Sequence, residues 1–183
     1  MKKVLITGAN SYVGTSFEKY ISDNYAEDYV IETIDMIDGS WREKDFSGYD
    51  VVFHVAGIAH SDNGKSDNAK KELYYSVNTD LTEEVAKKAK AAGVKQFIFT
   101  SSAIVYGESA SIGKIKVITK ETPISPSNCY GDSKAQAEKK LEALMDDDFK
   151  VVILRSPMIY GKNSKGNYPL LSKIAYLRSS SEK

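Results

Sequence analysis

Five short apolar runs punctuate this 183-residue chain, at 4–7, 29–34, 50–55, 96–101 and 150–155, and helical periodicity fills most of the gaps between them. Strands that alternate with helices pair in parallel and are covered on both faces, so the pattern predicts an α/β fold, a doubly wound parallel sheet. Helices are expected over 12–24, about 69–92 and about 128–145. Gly93 closes the middle one, and Pro123 and Pro126 mark the loop before the last. The stretch 39–48 is expected to hold a third strand and a short helix, which makes 150–155 the sixth strand. The insert 110–122 reads as a loop with a small strand, and residues 169–177 as a final helix before a frayed serine-rich end.

The first run leads into Thr7-Gly-Ala-Asn-Ser-Tyr-Val-Gly14. A strand, a glycine turn and a helix N-terminus in that order make a site for a dinucleotide pyrophosphate. The helix end offers N–H groups and partial positive charge, and glycine lets phosphate approach the backbone. The spacing is Gly-x-x-Ser-x-x-Gly, so Ser11 stands where the commoner form has a second glycine. Asp35 ends the second run, about 20 residues on, where an acid accepts hydrogen bonds from the adenosine ribose hydroxyls. A carboxylate there repels the extra phosphate of NADP, so NAD is the expected cofactor; Asp38 is the nearby alternative.

Two further segments can carry chemistry. Tyr130 and Lys134, four apart on a predicted helix, share one face, and an ammonium so placed lowers a phenol's pKa towards neutrality. The phenol can then serve as acid or base while hydride moves to or from a nicotinamide. With 12 tyrosines and abundant lysine, roughly one or two such pairs arise by chance, so the pair gains weight only from its neighbours. One neighbour is Thr100-Ser-Ser-Ala-Ile-Val-Tyr-Gly107, directly after an apolar run. Ser102 there sits at the carboxyl end of a strand, at the mouth of the crevice where such folds bind ligands.

Composition removes several classes. The 25 basic and 25 acidic residues are interspersed and cancel, which argues against a nucleic-acid partner. One cysteine and two histidines leave no disulfide framework and little for a metal site. The apolar run after Lys3 ends at Thr7, too short for a leader or a membrane span, so a cytoplasmic protein without membrane contact is expected. Cys129 and Trp41 read as packing residues, His54 as a satisfied core or crevice histidine, and 146–148 as a solvated turn.

Taken together, the motifs resemble the extended short-chain dehydrogenase/reductases of the NAD-dependent epimerase/dehydratase family, which act largely on nucleotide sugars. The matching pieces run in family order over essentially the whole chain: Thr7–Gly14, Asp35, residues 50–57, Val77-Asn-Thr79, the segment around Ser102, Tyr130–Lys134 and Leu154-Arg-Ser-Pro-Met-Ile-Tyr-Gly161. The resemblance implies a catalytic triad: Tyr130 as acid/base, Lys134 as the ribose-binding and pKa-lowering group, Ser102 on the substrate oxygen. It places a cofactor along Gly8, Asn10, Ser11, Tyr12, Val13, Gly14, Asp35, Ala56, Gly57, Asn78, Thr100, Tyr130, Lys134 and Pro157.

It further implies an epimerase or a reductase. No Asp-Glu pair follows Ser102, which ranks a dehydratase lowest. A non-catalytic dinucleotide sensor is the rival reading. The helical segments 69–92 and 128–145 often pair across a homodimer in the family.

Departures from the pattern are Ser11, Ser40 where an aspartate often reaches the adenine amino group, and Met158 where many epimerases have asparagine. The whole of 1–183 reads as one NAD(P)-binding Rossmann domain in which the carboxyl-terminal substrate lobe is absent, an N-terminal fragment of a longer protein. A chain so built is expected to bind NAD but to turn over a nucleotide sugar poorly.

Overall fold

The computed structural model describes residues 1–59, 67–107, 114–164, 168 and 170–173. In chain order the elements are β1 (Lys2–Thr7), α1 (Tyr12–Asn24), β2 (Tyr29–Ile34), β3 (Val51–His54), α2 (Asp67–Tyr75), α3 (Leu81–Ala91), β4 (Gln96–Ser102), α4 (Cys129–Glu142) and β5 (Lys150–Ser156). The strands form one parallel sheet in the order β2-β1-β3-β4-β5. The chain moves outward from β1 to β2, then returns past β1 and continues the other way. That reversal opens a crevice beyond the carboxyl ends of β1 and β3, where doubly wound sheets bind ligands.

Strand alternation decides what each face buries. Leu5, Val52, Phe97 and Phe99 point towards α3 and α4 and pack with Val85, Ala86, Ala89, Ala137 and Leu141. Val4, Ile6, Val51 and Phe53 point the other way, against Val13 and Phe17 of α1, where the Phe17 and Phe53 rings meet edge to face at 4.9 Å. Phe97 and Phe99 are fully buried, and burying one such ring contributes about 1.5–3 kcal/mol.

Two expectations need correction. Residues 39–48 form no strand; they hold a single 3₁₀ turn, Ser40–Arg42, so the described sheet has five strands and 150–156 is its fifth. Two Asp-x-Ser turns break the segment, with Asp38 accepting from the Ser40 N–H (2.9 Å) and Asp45 from the Ser47 N–H (2.8 Å). Gly39 and Gly48, both at positive φ, bound the segment with turns. Trp41 and Phe46 instead plug the core beside Leu5.

The single helix expected over 69–92 is α2 and α3 joined by a π turn, Ser76–Asp80. Such wide turns redirect side chains and are frequent at functional sites. Here it buries Asn78 and Thr79. The expected strand in 110–122 lies partly outside the described residues, and 114–122 contains none. The expected helix over 169–177 is described only at 170–173, which are helical.

Candidate active site

At the end of β1 the chain turns on Gly8, whose φ of +110° is open to glycine. A Cβ there would lie 2.8 Å from the Ala56 nitrogen. The turn is held on both flanks. The Gly8 and Ala9 N–H groups donate to the Ile34 carbonyl (2.9 and 3.1 Å), and those of Val55 and Ala56 donate to the Thr7 carbonyl (3.0 and 2.9 Å). Asn10 adopts φ +62°, and Ser11 caps α1 by accepting from the Gly14 N–H at 3.1 Å. The hydroxyl thus satisfies one orphan donor that a glycine in its place would leave free. Helix geometry leaves the N–H groups of Tyr12 and Val13 without an acceptor within α1.

The bonds to Ile34 also bring Asp35 beside this turn. Its Oδ1 accepts from the Ile37 N–H at 2.6 Å, and its other oxygen has no partner among the described residues. Asp38, the alternative, is engaged by the Ser40 N–H and by the Ser40 hydroxyl at 2.7 Å.

Across the crevice, α4 begins at Cys129 with Asn128 as its cap, donated to by the Gly131 N–H at 2.8 Å. Tyr130 and Lys134 follow one turn apart. The Lys134 ammonium is buried, donates to the Thr100 carbonyl at 2.9 Å and lies 4.6 Å from the centre of the Phe99 ring. Burial lowers it to about 8, against the opposing pull of the Glu138 carboxylate.

Gly57 is the contact between the two sides. A Cβ on it would lie 3.0 Å from the Lys134 Nζ and 3.1 Å from the Asn78 Oδ1. Asn78 pins the same loop, accepting from the Ile58 N–H (2.9 Å) and donating to the Ile58 carbonyl (3.0 Å) and the Ser133 hydroxyl (3.1 Å). Thr79 completes the clasp by donating to the Ser133 carbonyl at 2.7 Å.

The Tyr130 phenol sits above its ordinary value. Burial is the main cause, the Ser102 hydroxyl acts in the lowering direction, and Tyr74 adds to the rise. No hydrogen bond of ordinary length and angle joins Ser102 to Tyr130. The Ser102 hydroxyl accepts instead from the Ile104 N–H at 3.3 Å. The Tyr74 ring stands 5.9 Å from that of Tyr130 and walls the phenol on one side. Lys134 points at Thr100, so in the bare chain it is burial and not the ammonium that governs the phenol.

Other side chains fall where their types suggest. His54 is fully buried, with Nδ1 2.6 Å from the Thr7 hydroxyl and Nε2 3.0 Å from that of Thr82. Burial first, and the Lys134 charge second, hold it down at about 3. Pro157 is exposed just past β5, and the loop it opens returns to α1, where a Cβ on Gly161 would come within 2.7 Å of the Tyr12 hydroxyl.

The sequence reading missed Glu138 and Arg155. Both were visible in principle: Glu138 continues the Tyr130–Lys134 face by four more residues, and Arg155 ends an otherwise apolar strand.

The residues present fit a bound dinucleotide. A turn too tight for a side chain, two helix N–H groups with no acceptor within α1 and a carboxylate with one oxygen unpartnered among the described residues line one side of the crevice. A buried ammonium and the Thr100 hydroxyl, which is buried with no partner among the described residues, lie on the other. Fold and site together define a doubly wound nucleotide-binding domain with a Ser-Tyr-Lys constellation at its crevice.

The sequence model of the NAD dependent epimerase/dehydratase family matches residues 4–180, and the chain belongs to that family. It is 35% identical over 94% of its length to a UDP-glucose 4-epimerase of Vibrio cholerae, covering 56% of that protein. It is 32% identical, again over 94%, to the N-acetyl-alpha-D-glucosaminyl-diphospho-ditrans,octacis-undecaprenol 4-epimerase of Escherichia coli O157:H7, covering 54% of it. The chain therefore spans about half the length of these relatives. Its fold is that of the UDP-glucuronic acid 4-epimerase of Bacillus cereus solved with NAD (TM-score 0.71, 21% identity, 89% of this chain and 58% of that one). Among the described residues, no helix is long and apolar enough to cross a membrane.

Proposed function

We propose that the chain binds NAD and carries the proton-transfer residues of an epimerase acting on a nucleotide sugar. The observation that carries the reading is the approach of Lys134 and Asn78 to Gly57, which joins the Ser-Tyr-Lys side of the crevice to the phosphate-turn side. Gly8, Asn10, Ser11, Tyr12, Val13 and Gly14 would hold the pyrophosphate, Asp35 the adenosine ribose, and Ala56, Gly57, Asn78, Thr100 and Pro157 the path towards the nicotinamide.

When bound, NAD supplies a hydride acceptor that can return the hydride to the sugar carbon. Tyr130 takes the proton of the sugar hydroxyl as hydride leaves, and gives it back on return. Ser102 hydrogen-bonds the same oxygen. Lys134, at about 8, is largely ammonium at neutral pH and provides the positive charge that a phenolate needs. The walls formed by Tyr74, Phe99 and the Gly57 loop limit water around that charge, which strengthens it. Epimerase is favoured over reductase because the two relatives described above, at 35% and 32% identity, are named 4-epimerases. A mere dinucleotide sensor has no use for all three of Ser102, Tyr130 and Lys134. A homodimer through α2, α3 and α4 is the proposed assembly.

Calorimetric titration with NAD tests binding by this chain directly. In the complete protein carrying this sequence, Tyr130→Phe is expected to cut UDP-sugar epimerisation by about 10²–10⁴-fold while NAD affinity stays within twofold. Near-normal turnover by that variant removes Tyr130 from the role of acid/base.

A further inference from the structure

Behind the catalytic face lies a polar network that the proposed chemistry does not use. Glu138 is buried on α4, one turn beyond Lys134. Its carboxylate accepts from the Ser101 hydroxyl, from Arg155 Nε (3.2 and 3.1 Å to the two oxygens) and from Arg155 Nη2 (2.8 Å). Arg155 in turn donates through Nη1 to the Tyr106 hydroxyl at 2.6 Å.

Sheet register puts Arg155 directly beside Ser101, and Ser156 beside Ser102. One carboxylate thereby joins the helix bearing Tyr130 and Lys134 to the strand end bearing Thr100 and Ser102. It also reaches β5 and, through Arg155, the 3₁₀ turn Ala103–Tyr106 that follows Ser102.

Stability alone explains such a network poorly. Desolvating two charges offsets most of their attraction, and well-packed apolar replacements of a buried ion pair are often neutral or better. What an apolar pair lacks is a carboxylate on the Lys134 side of the pair. The groups facing Lys134 are few: His54 from β3, kept neutral by burial; Tyr130, a neutral phenol on its own helix; Asn78, uncharged; and Glu138, with Arg155 beyond it. Glu138 is the single anion of that set, and it opposes the loss of the lysine proton.

We propose that Glu138 is a positioning residue of the active site. Held by Arg155, its carboxylate ties the carboxyl end of β4 to α4 at Ser101 and sets a negative charge one helical turn from the Lys134 ammonium. The site thus keeps a protonated lysine in a dry crevice, and keeps Ser102 in register with Tyr130. The inference rests on the reading of Lys134 as the ammonium of the proposed reaction, but its test needs neither cofactor nor turnover.

The measurement is an NMR titration of the Lys134 side chain in ¹³C-lysine-labelled protein without cofactor, assigned with Lys134→Arg. The wild-type midpoint is expected at about 8. Glu138→Gln is expected to move it to lower pH, and Glu138→Asp, which keeps the charge on a shorter stem, to restore part of the difference. Because Glu138→Gln leaves Arg155 without its partner and can unfold the chain, Glu138→Gln with Arg155→Met is the second variant. It removes both charges, and circular dichroism checks its fold. A lower Lys134 midpoint in the folded double variant supports the proposal. An unchanged midpoint overturns it and leaves Glu138 a packing residue. Failure of wild-type chain to bind NAD would instead count against the proposed function, with the Lys134 titration still reporting on Glu138.

Discussion

His54 ties the stability of this fold to pH in a window where few other groups titrate. Its imidazole is fully buried between two threonine hydroxyls and stacks against Phe97 and Phe99 at 5.7 and 6.1 Å. Burial, with the Lys134 charge behind it, lowers it from 6.5 to about 3. A folded value below the unfolded one means that the unfolded chain binds the proton first. The stability His54 confers is complete above pH 6.5 and is lost progressively as the pH falls towards 3. At pH 6 the loss is about 0.8 kcal/mol and at pH 5 about 2 kcal/mol. For a chain of this size, about 2 kcal/mol lowers the melting temperature by about 4–8 °C.

Lys134 does not confound this window. Its folded value lies at about 8, below the ordinary 10.5, so its own loss of stability falls between those values and is complete by neutral pH. The lowered carboxylates Glu32, Glu83 and Asp146 withdraw their contributions only below about pH 4.5. Urea unfolding of wild type and His54→Gln at pH 7, 6 and 5 isolates the effect. Glutamine can bond both threonines but takes no proton. The wild-type unfolding free energy is expected to fall by about 2 kcal/mol across the range, and that of His54→Gln to stay nearly flat. Equal slopes for the two proteins would refute the argument and assign the pH dependence elsewhere.

Three further outcomes concern the turn after β1 and the acid beside it. Gly8→Ala combines a positive φ with a Cβ 2.8 Å from the Ala56 nitrogen and should cost about 1–3 kcal/mol of stability in urea unfolding, together with NAD affinity in calorimetry. Ser11→Ala loses the α1 cap at about 1 kcal/mol, while Ser11→Gly should lose only a few tenths; the reverse ranking would mean that the hydroxyl does not serve as a cap. Asp35 should make NAD bind more tightly than NADP, and Asp35→Ala should erase most of that preference. Calorimetry with both cofactors decides, and tighter NADP binding by wild type rules the role out.

What the sequence determined by itself was the local grammar. Apolar runs with breaks, the glycines and serine after β1 and the prolines Pro123 and Pro126 are short-range signals. They place five strands, α1 and α4 within a few residues of where they stand. The turn after β1 and Asp35 could be placed for the same reason: each is tied to a strand end whose position the apolar pattern marks. Tertiary structure decided what depends on partners far apart in the chain. Residues 39–48 are expected to hold a strand although their apolar pattern is poor, and Trp41 and Phe46 pack into the core instead. The π turn at Ser76–Asp80 exists because Asn78 bonds Ile58 and Ser133, 20 and 55 residues away. The charge states were equally beyond the sequence. Four-residue spacing puts Tyr130 and Lys134 on one face, but burial holds the phenol up and brings the lysine down to about 8. Spacing sets which groups can meet, whereas desolvation and long-range charge set what they do, and both of those arise only once the chain has closed on itself.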